Sequence, residues 1–285
     1  PIFVDHHGAD VWAHQELFKL DVAGNPSAVA GVPPDYFNES GQLWGNPLYR
    51  WEVMAKDDYR WWRERLAHIF GLVDLVRLDH FRGFAGYWQV AAKAKTAAKG
   101  RWLKGPGKHF FTVLEKYLGH LPVIAEDLGV ITPDVAALRR HFHYPGMKVL
   151  QFSFTGAAAG RPEPLDCDRN MVIYTGTHDN KTTLGWYREL RESGAAAAVN
   201  WYLGEPTGVG DDDVAWRMVE LAYQCKAETV IIPLQDILGL DDKARMNTPG
   251  TEEGNWRWRC PPGRLTTELA ARLASLAGIN GRGGN

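Results

Sequence analysis

Along this chain, short β-branched apolar runs alternate with longer stretches in which apolar residues recur every three or four positions. Leu72-Val-Asp-Leu-Val-Arg-Leu78, Leu121-Pro-Val-Ile-Ala125, Met147-Lys-Val-Leu-Gln-Phe-Ser-Phe154, Met171-Val-Ile-Tyr174 and Thr229-Val-Ile-Ile232 are of strand length, and most are bounded by Gly or Pro. Such runs read as strands buried on both faces. Ile2-Phe-Val4 reads as a further, first strand. Between them the spacing predicts helices near 9–18, 110–118, 182–192, 196–202, 212–227 and 266–276. A long helix is expected over 51–70, where Trp51, Met54, Tyr59, Trp62, Leu66 and Ile69 repeat at helical period. Thr132-Pro133 reads as an N-cap with Pro at the first helical position, opening a helix to about 142. Six strands alternating with helices predict a (β/α) arrangement two units short of an eight-fold barrel.

Two segments stand outside that alternation. Residues 21–48 are rich in Gly, Pro, Asn and Asp, including Gly31-Val-Pro-Pro-Asp-Tyr-Phe-Asn-Glu-Ser-Gly-Gln-Leu-Trp-Gly-Asn-Pro47. An irregular stretch of this length is either functional or disordered. Disordered segments lack aromatics, and Tyr36, Phe37, Trp44 and Tyr49 lie here, so an ordered binding loop is expected. Residues 81–107 read as an excursion with some helical content, closed by Gly105-Pro-Gly107. No internal repeat is visible, and the Gly-rich 281–285 tail should fray.

Composition narrows the classes. A chain of 285 residues is long enough for one α/β barrel or two smaller domains. A net charge of −2 gives no case for nucleic acid or an anionic membrane as partner. No apolar run approaches the ~20 residues that span a bilayer, and the Pro1-Ile-Phe-Val4 opening is no charged signal-peptide start. Three widely separated cysteines, in no metal-ligand spacing, point to a reduced, cytoplasmic setting. His6-His7 and the histidines at 141 and 143 show no metal-ligand spacing either, so no metal is expected. No phosphate-cradling Gly motif appears, so no cofactor is expected. Twelve Trp suit either sugar stacking or a large core; counted alone they favour the core.

Three of the predicted strands end on an acid: Asp79, Glu126 and, after Thr175-Gly-Thr-His178, Asp179. Carboxylates at the C-terminal ends of parallel barrel strands converge on one rim. An Asp, a Glu and a further Asp there supply what glycosidic-bond chemistry requires: nucleophile, acid/base and stabiliser of a cationic transition state. Each motif alone has a plainer reading. Arg77 and Asp79 two apart match a structural ion pair, Glu126-Asp127 matches a solvated pair capping a loop, and a His beside Asp is usually structural.

Taken together, Arg77-Leu-Asp-His-Phe-Arg-Gly-Phe84, Ala125-Glu-Asp-Leu-Gly129, Gly176-Thr-His-Asp-Asn180 and Gly31-Val-Pro-Pro-Asp-Tyr-Phe37 resemble the amylomaltases. These are 4-α-glucanotransferases, or disproportionating enzymes, of the α-amylase clan. Trp44-Gly-Asn-Pro-Leu-Tyr-Arg-Trp51 and Met147-Lys-Val-Leu-Gln-Phe152 are specific to the glucanotransferases, and the resemblance runs from Pro1 to about Pro262. It implies a (β/α)8 TIM barrel, present as about strands 3 to 8 with an aromatic lid loop over 31–47 and an insertion over 81–107, all in one catalytic unit. The family's N-terminal part, including two barrel strands, has no counterpart here.

By that resemblance, Asp79 is the nucleophile, Glu126 the acid/base and Asp179 the transition-state stabiliser. Arg77 holds Asp79 ionised, His80 and His178 donate to hydroxyls of the sugar at the cleavage point, and Asp127 binds sugar hydroxyls. Asp35, Tyr36, Phe37, Gln42 and Trp44 form the lid over the acceptor, and Asn255 lies in a substrate-binding loop after the last strand. The partners implied are an α-1,4-glucan donor and acceptor. Lys181 departs from the family, where an acidic residue is expected; it should tune local charge and leave the chemistry alone. An α-amylase-like hydrolase and a non-catalytic glucan-binding fragment are the alternatives.

Overall fold

The computed structural model describes residues 1–34, 39–129, 131–154, 168–251 and 253–283. The chain divides into two compact units, Pro1–Gly146 and Met147–Asn285.

The first unit holds strands β1 (Ala28–Val32), β2 (Gln42–Pro47), β3 (Val76–Leu78), β4 (Gly86–Ala91), β5 (Gly100–Lys104) and β6 (Val123–Ala125). β3 and β6 pair in parallel, Val76 opposite Val123, Arg77 opposite Ile124 and Leu78 opposite Ala125. The connection between them carries the helix Gly107–Leu118, as a parallel crossover requires. The other four strands form an antiparallel sheet in the order β2-β1-β4-β5. The segments read as a lid loop and as an excursion therefore both contribute strands, and β1 pairs with β4 from Ala28–Ala91 to Gly31–Trp88.

The core of this unit is largely aromatic. Tyr49, Trp62, Phe81, Phe84, Phe110, Phe111 and Tyr144 are fully buried, with Phe84–Phe110 and Phe110–Phe111 ring centroids both 5.0 Å apart. Such contacts, the first stacked and the second edge-on, stabilise beyond the area they remove from water. Trp51, Trp61 and Trp62 belong to this core, while Trp44 and Trp102 are exposed.

Two expectations fail here. Ile2-Phe-Val4 is buried but forms no strand. Its carbonyls are satisfied by side chains: Tyr49 Oη donates to Ile2 O at 2.7 Å and Asn46 Nδ2 to Val4 O at 2.9 Å. Burial selected apolar residues there without a ladder. The helix expected over 51–70 breaks into Trp51–Met54, a 3₁₀ turn Ala55–Asp57 and Arg60–Phe70. Asp58 and Tyr59 are left-handed, with φ of 56° and 52°. The break keeps Tyr59, Trp62 and Leu66 all inside, so the apolar period runs through it unmarked.

The second unit is built on β7 (Gly146–Val149), β8 (Met171–Tyr174) and β9 (Thr229–Ile231), in that order, with the boundary between units falling at the first residue of β7. β8 and β9 are parallel, Val172 opposite Thr229. The helices Thr183–Glu192, Ala197–Tyr202 and Asp211–Gln224 lie between them in sequence. Ile173, Tyr187, Val199, Val214, Met218 and Ala222 form the core of this unit. The expected strand 147–154 is half as long, because Leu150–Phe154 turns into a 3₁₀ helix. Among the described residues no helix is long and apolar enough to cross a membrane.

Candidate active-site residues

The parallel register of β3 and β6 places Asp79 and Glu126 at equivalent positions, one residue past each strand. The ladder continues through them: Glu126 N donates to Leu78 O at 2.9 Å, and Phe81 N to Glu126 O at 3.0 Å. The Glu126 carboxylate is held by two main-chain donors, His80 N on Oε2 at 2.7 Å and Leu128 N on Oε1 at 2.8 Å. Burial raises the Glu126 pKa above the ordinary carboxylate value, with the Asp79 charge adding to the rise; the two N–H groups and Arg77 oppose it. Arg77 points to the same face as Asp79, two residues along a strand. Its Nη2 donates to Asp79 Oδ1 at 2.7 Å in a partly exposed ion pair. One carboxyl is thus biased to keep a proton, and its neighbour shares a charge-assisted hydrogen bond with Arg77.

His80 completes this end of the unit. Its backbone is left-handed, φ 50°, which is how its N–H turns toward Glu126. Burial lowers the imidazole pKa from 6.5 to about 4, so the ring is neutral at neutral pH. Trp44, on β2, meets it edge-on with centroids 4.7 Å apart. A Cβ at Gly83 would lie 2.7 Å from Ile2 Cδ1 and 3.2 Å from His80 Cδ2, so a larger residue there would press on the Ile2 side-chain tip and the His80 ring. Gln42 Oε1 accepts from the exposed Trp44 Nε1 at 3.1 Å. The lid positions Asp35, Tyr36 and Phe37 lie outside the described residues.

Asp127 does not fit the sugar-binding role expected of it. Its Oδ2 lies 2.9 Å from Arg139 Nε, both side chains about nine-tenths buried. A carboxylate committed to a buried guanidinium joins β6 to the helix Pro133–His141 and is turned away from solvent.

In the second unit, Asp179 sits in the turn after β8. Thr177 N and Oγ1 both donate to Asn180 Oδ1, at 2.9 and 2.8 Å, and close the turn. His178 Nε2 is 3.3 Å from Asp179 Oδ2, and the two side chains are a little over a third exposed. The ends of the turn are fixed by buried Asp236, which accepts from Thr175 Oγ1 at 2.5 Å and from Thr183 N and Oγ1 at 2.8 Å. Lys181 reaches Glu189 and Asp242 at 3.2 and 3.6 Å, in ion pairs beside the turn. Asn255, expected to meet substrate, spends its amide on its own loop: Oδ1 accepts from Thr248 N, and Nδ2 donates to Thr251 O.

Three residues without an assigned role in the sequence reading surround Asp179. Asn247 Nδ2 donates to Asp179 Oδ1 at 2.6 Å, Arg245 Nη2 donates to Asp179 O at 2.7 Å, and the exposed Trp256 ring lies 5.1 Å from that of His178. The local signals for them are the runs Ala244-Arg-Met-Asn-Thr-Pro-Gly250 and Gly254-Asn-Trp-Arg-Trp258 after the last strand, which fit the family's loop there. Among the described residues no group of three or more His, Cys, Asp or Glu is placed to hold a metal ion.

A family model described as 4-alpha-glucanotransferase matches residues 1–266. The 4-alpha-glucanotransferase of Thermus thermophilus is 48% identical over 97% of this chain and 56% of its own length. The chloroplastic/amyloplastic 4-alpha-glucanotransferase of Arabidopsis thaliana is 48% identical over 99% of this chain and 49% of its own. The chain thus spans about half the length of the curated relatives it matches. The solved amylomaltase of Streptococcus agalactiae, in complex with acarbose, superposes over 100% of this chain and 57% of its own with a TM-score of 0.90 at 36% identity. Amylomaltase of Corynebacterium glutamicum, 22% identical with a TM-score of 0.72 over 90% of this chain and 40% of its own, shares the fold. The strand–helix units described above are those of a (β/α)8 barrel, of which the chain covers a part. With the family model matched over more than nine-tenths of its length, the chain belongs to the 4-alpha-glucanotransferase family.

Proposed function

We propose that this chain carries the reacting carboxylates of a retaining 4-α-glucanotransferase. The observation that carries the reading is the pairing in register of Asp79 with Glu126, the one beside Arg77 and the other half-buried with a raised pKa. A retaining mechanism needs two carboxyl groups about 5 Å apart, one that attacks as the anion and one that gives up a proton.

In the first step an Asp79 carboxylate oxygen attacks the anomeric carbon of an α-1,4-linked donor. The bond from that carbon to the bridging oxygen breaks, and the oxygen leaves with the proton from Glu126. A glucosyl–Asp79 ester and a shortened glucan with a free 4-hydroxyl result. In the second step the Glu126 carboxylate takes the proton of an acceptor's 4-hydroxyl. The acceptor oxygen displaces Asp79 from the anomeric carbon, and both carboxyls return to their starting forms. Charge spread over the ring in each transition state is the task of Asp179. His178, with Asn247 and its own turn, fixes that side chain. His80, neutral, donates to a sugar hydroxyl without adding charge beside the developing cation. The donor and acceptor are maltooligosaccharides or starch chains, and the setting is cytoplasmic.

Incubation with maltotriose tests the reading on the protein that contains this chain. A ladder of longer oligosaccharides, suppressed by acarbose, is the expected outcome. Glucose and maltose alone would assign an α-amylase-like hydrolase. Binding of maltotriose without any change in chain length would assign a glucan-binding module.

A further inference from the structure

Within the reading above, we infer that Asn247 is the positioning residue of Asp179, fixing the direction of its carboxylate through a neutral donor. Three hydrogen bonds run from the 245–247 segment to the His178-Asp179 dipeptide. Asn247 N donates to His178 O at 3.0 Å, Asn247 Nδ2 to Asp179 Oδ1 at 2.6 Å, and Arg245 Nη2 to Asp179 O at 2.7 Å. Arg245 Nε also donates to Asn247 O at 2.8 Å, so the guanidinium spans both segments through their carbonyls. Asn247 thus grips the dipeptide with main chain at one residue and side chain at the next, which fixes the side-chain torsions of Asp179 relative to its own backbone. With His178 Nε2 on Oδ2, each carboxylate oxygen has a neighbour from a defined direction.

The chemistry of the donor matters as much as its position. Asp79 can share an Arg because it must be a stable anion before it attacks. A carboxylate that stabilises a developing cation works through its full negative charge, and a Lys or Arg on it would offset that charge. A primary amide is a neutral donor of the same reach. It holds the carboxylate at the angle the transition state needs and leaves the field intact. Asn247 is half-buried at the start of a loop with Trp256, whose N–H donates to Met246 O at 2.6 Å, so the segment stays anchored when the amide is removed.

The test compares Asn247→Ala, Asn247→Gln and Asn247→Lys with wild type in maltotriose transfer, with Asp79→Asn alongside and rates expressed per folded molecule from melting curves. Expected are a fall in kcat of about 10- to 100-fold for Asn247→Ala with KM within threefold, and partial recovery in Asn247→Gln, which keeps the amide. Asn247→Lys should lose at least as much as Asn247→Ala, although it restores a donor. A KM effect with unchanged kcat would overturn the inference, as would wild-type kcat in Asn247→Ala or full activity in Asn247→Lys. Transfer persisting in Asp79→Asn would instead overturn the underlying reading of the carboxylates, whatever the Asn247 variants do.

Discussion

The backbone N–H of His80 donates to Glu126 Oε2 at 2.7 Å, so the residue after one catalytic candidate holds the carboxyl of the other. This bond is made possible by the left-handed backbone at His80 and by the β3–β6 register. It couples the two strand ends through main chain, which side-chain substitution leaves in place. Conservative changes at Asp79 and Glu126 are therefore expected to remove function without removing the fold.

Asp79→Asn and Glu126→Gln should each lower maltotriose transfer by more than about 10³-fold, since one removes the covalent route and the other the acid/base. Melting temperature and circular dichroism should stay near wild type for Asp79→Asn. Turnover near wild type in that variant would remove Asp79 from the mechanism.

The raised pKa of Glu126 sets the sign of a pH effect. The group must be protonated for the first step, and burial holds the proton to higher pH than an exposed carboxyl would. Cleavage of natural donors should fall as pH rises through that raised value. With α-maltosyl fluoride as donor the leaving group needs no proton, so the same alkaline fall should vanish from the glycosylation step. An alkaline limb of equal size with both donors would place the titrating group elsewhere.

His80 makes a separate prediction for stability. Its pKa is lowered to about 4 in the fold from 6.5 in the free side chain. Between those values the unfolded chain binds the proton more readily, so stability falls as pH drops from about 6.5 and levels off below about 4. At roughly 1.4 kcal/mol per unit, the full span is worth about 3 kcal/mol. Melting curves of wild type and His80→Gln across this window should differ in slope, the variant losing less on acidification. Parallel curves would show that the imidazole is not buried in its neutral form.

Asp127→Ala should act on stability. Removing it leaves the Arg139 guanidinium buried without its anion, a loss of about 3–5 kcal/mol. The melting point should drop well below that of Asp79→Asn, while KM for maltotriose in the folded fraction stays near wild type. A raised KM with an unchanged melting point would restore the sugar-binding role.

The sequence carried the carboxylates because their signal is local: a β-branched run that leads to an acid. It hid Asp127's partner because Arg139 lies on the next helix and nothing in Ala125-Glu-Asp-Leu-Gly129 marks one acid as buried. Asn247 was hidden for the same reason, its contact with Asp179 spanning 68 positions. β1 and β2 were masked by composition. Gly31, Gly41 and Gly45 give the segment a loop's residues, yet a Cβ on Gly31 would come 2.5 Å from Gln42 O, so there glycine permits strand pairing. The turn at Asp58 and Tyr59 left no trace, since the apolar spacing continues across it.

Trp44 offers the sharpest test of transfer against hydrolysis. Its ring stands on β2, about a third exposed, edge-on to the half-buried, neutral His80 beside Asp79 with ring centroids 4.7 Å apart. An aromatic surface there can support an acceptor sugar and displace water from the glucosyl intermediate; neither is required to cleave the donor bond. Trp44→Ala should therefore raise the ratio of glucose release to chain-length redistribution from maltotriose by several-fold, with donor cleavage affected less. Trp44→Phe, which keeps an aromatic face but loses the bond from Nε1 to Gln42, should lie between the two. If the ratio in Trp44→Ala equals that of wild type, the indole serves to pack His80, and water exclusion must be sought in other residues.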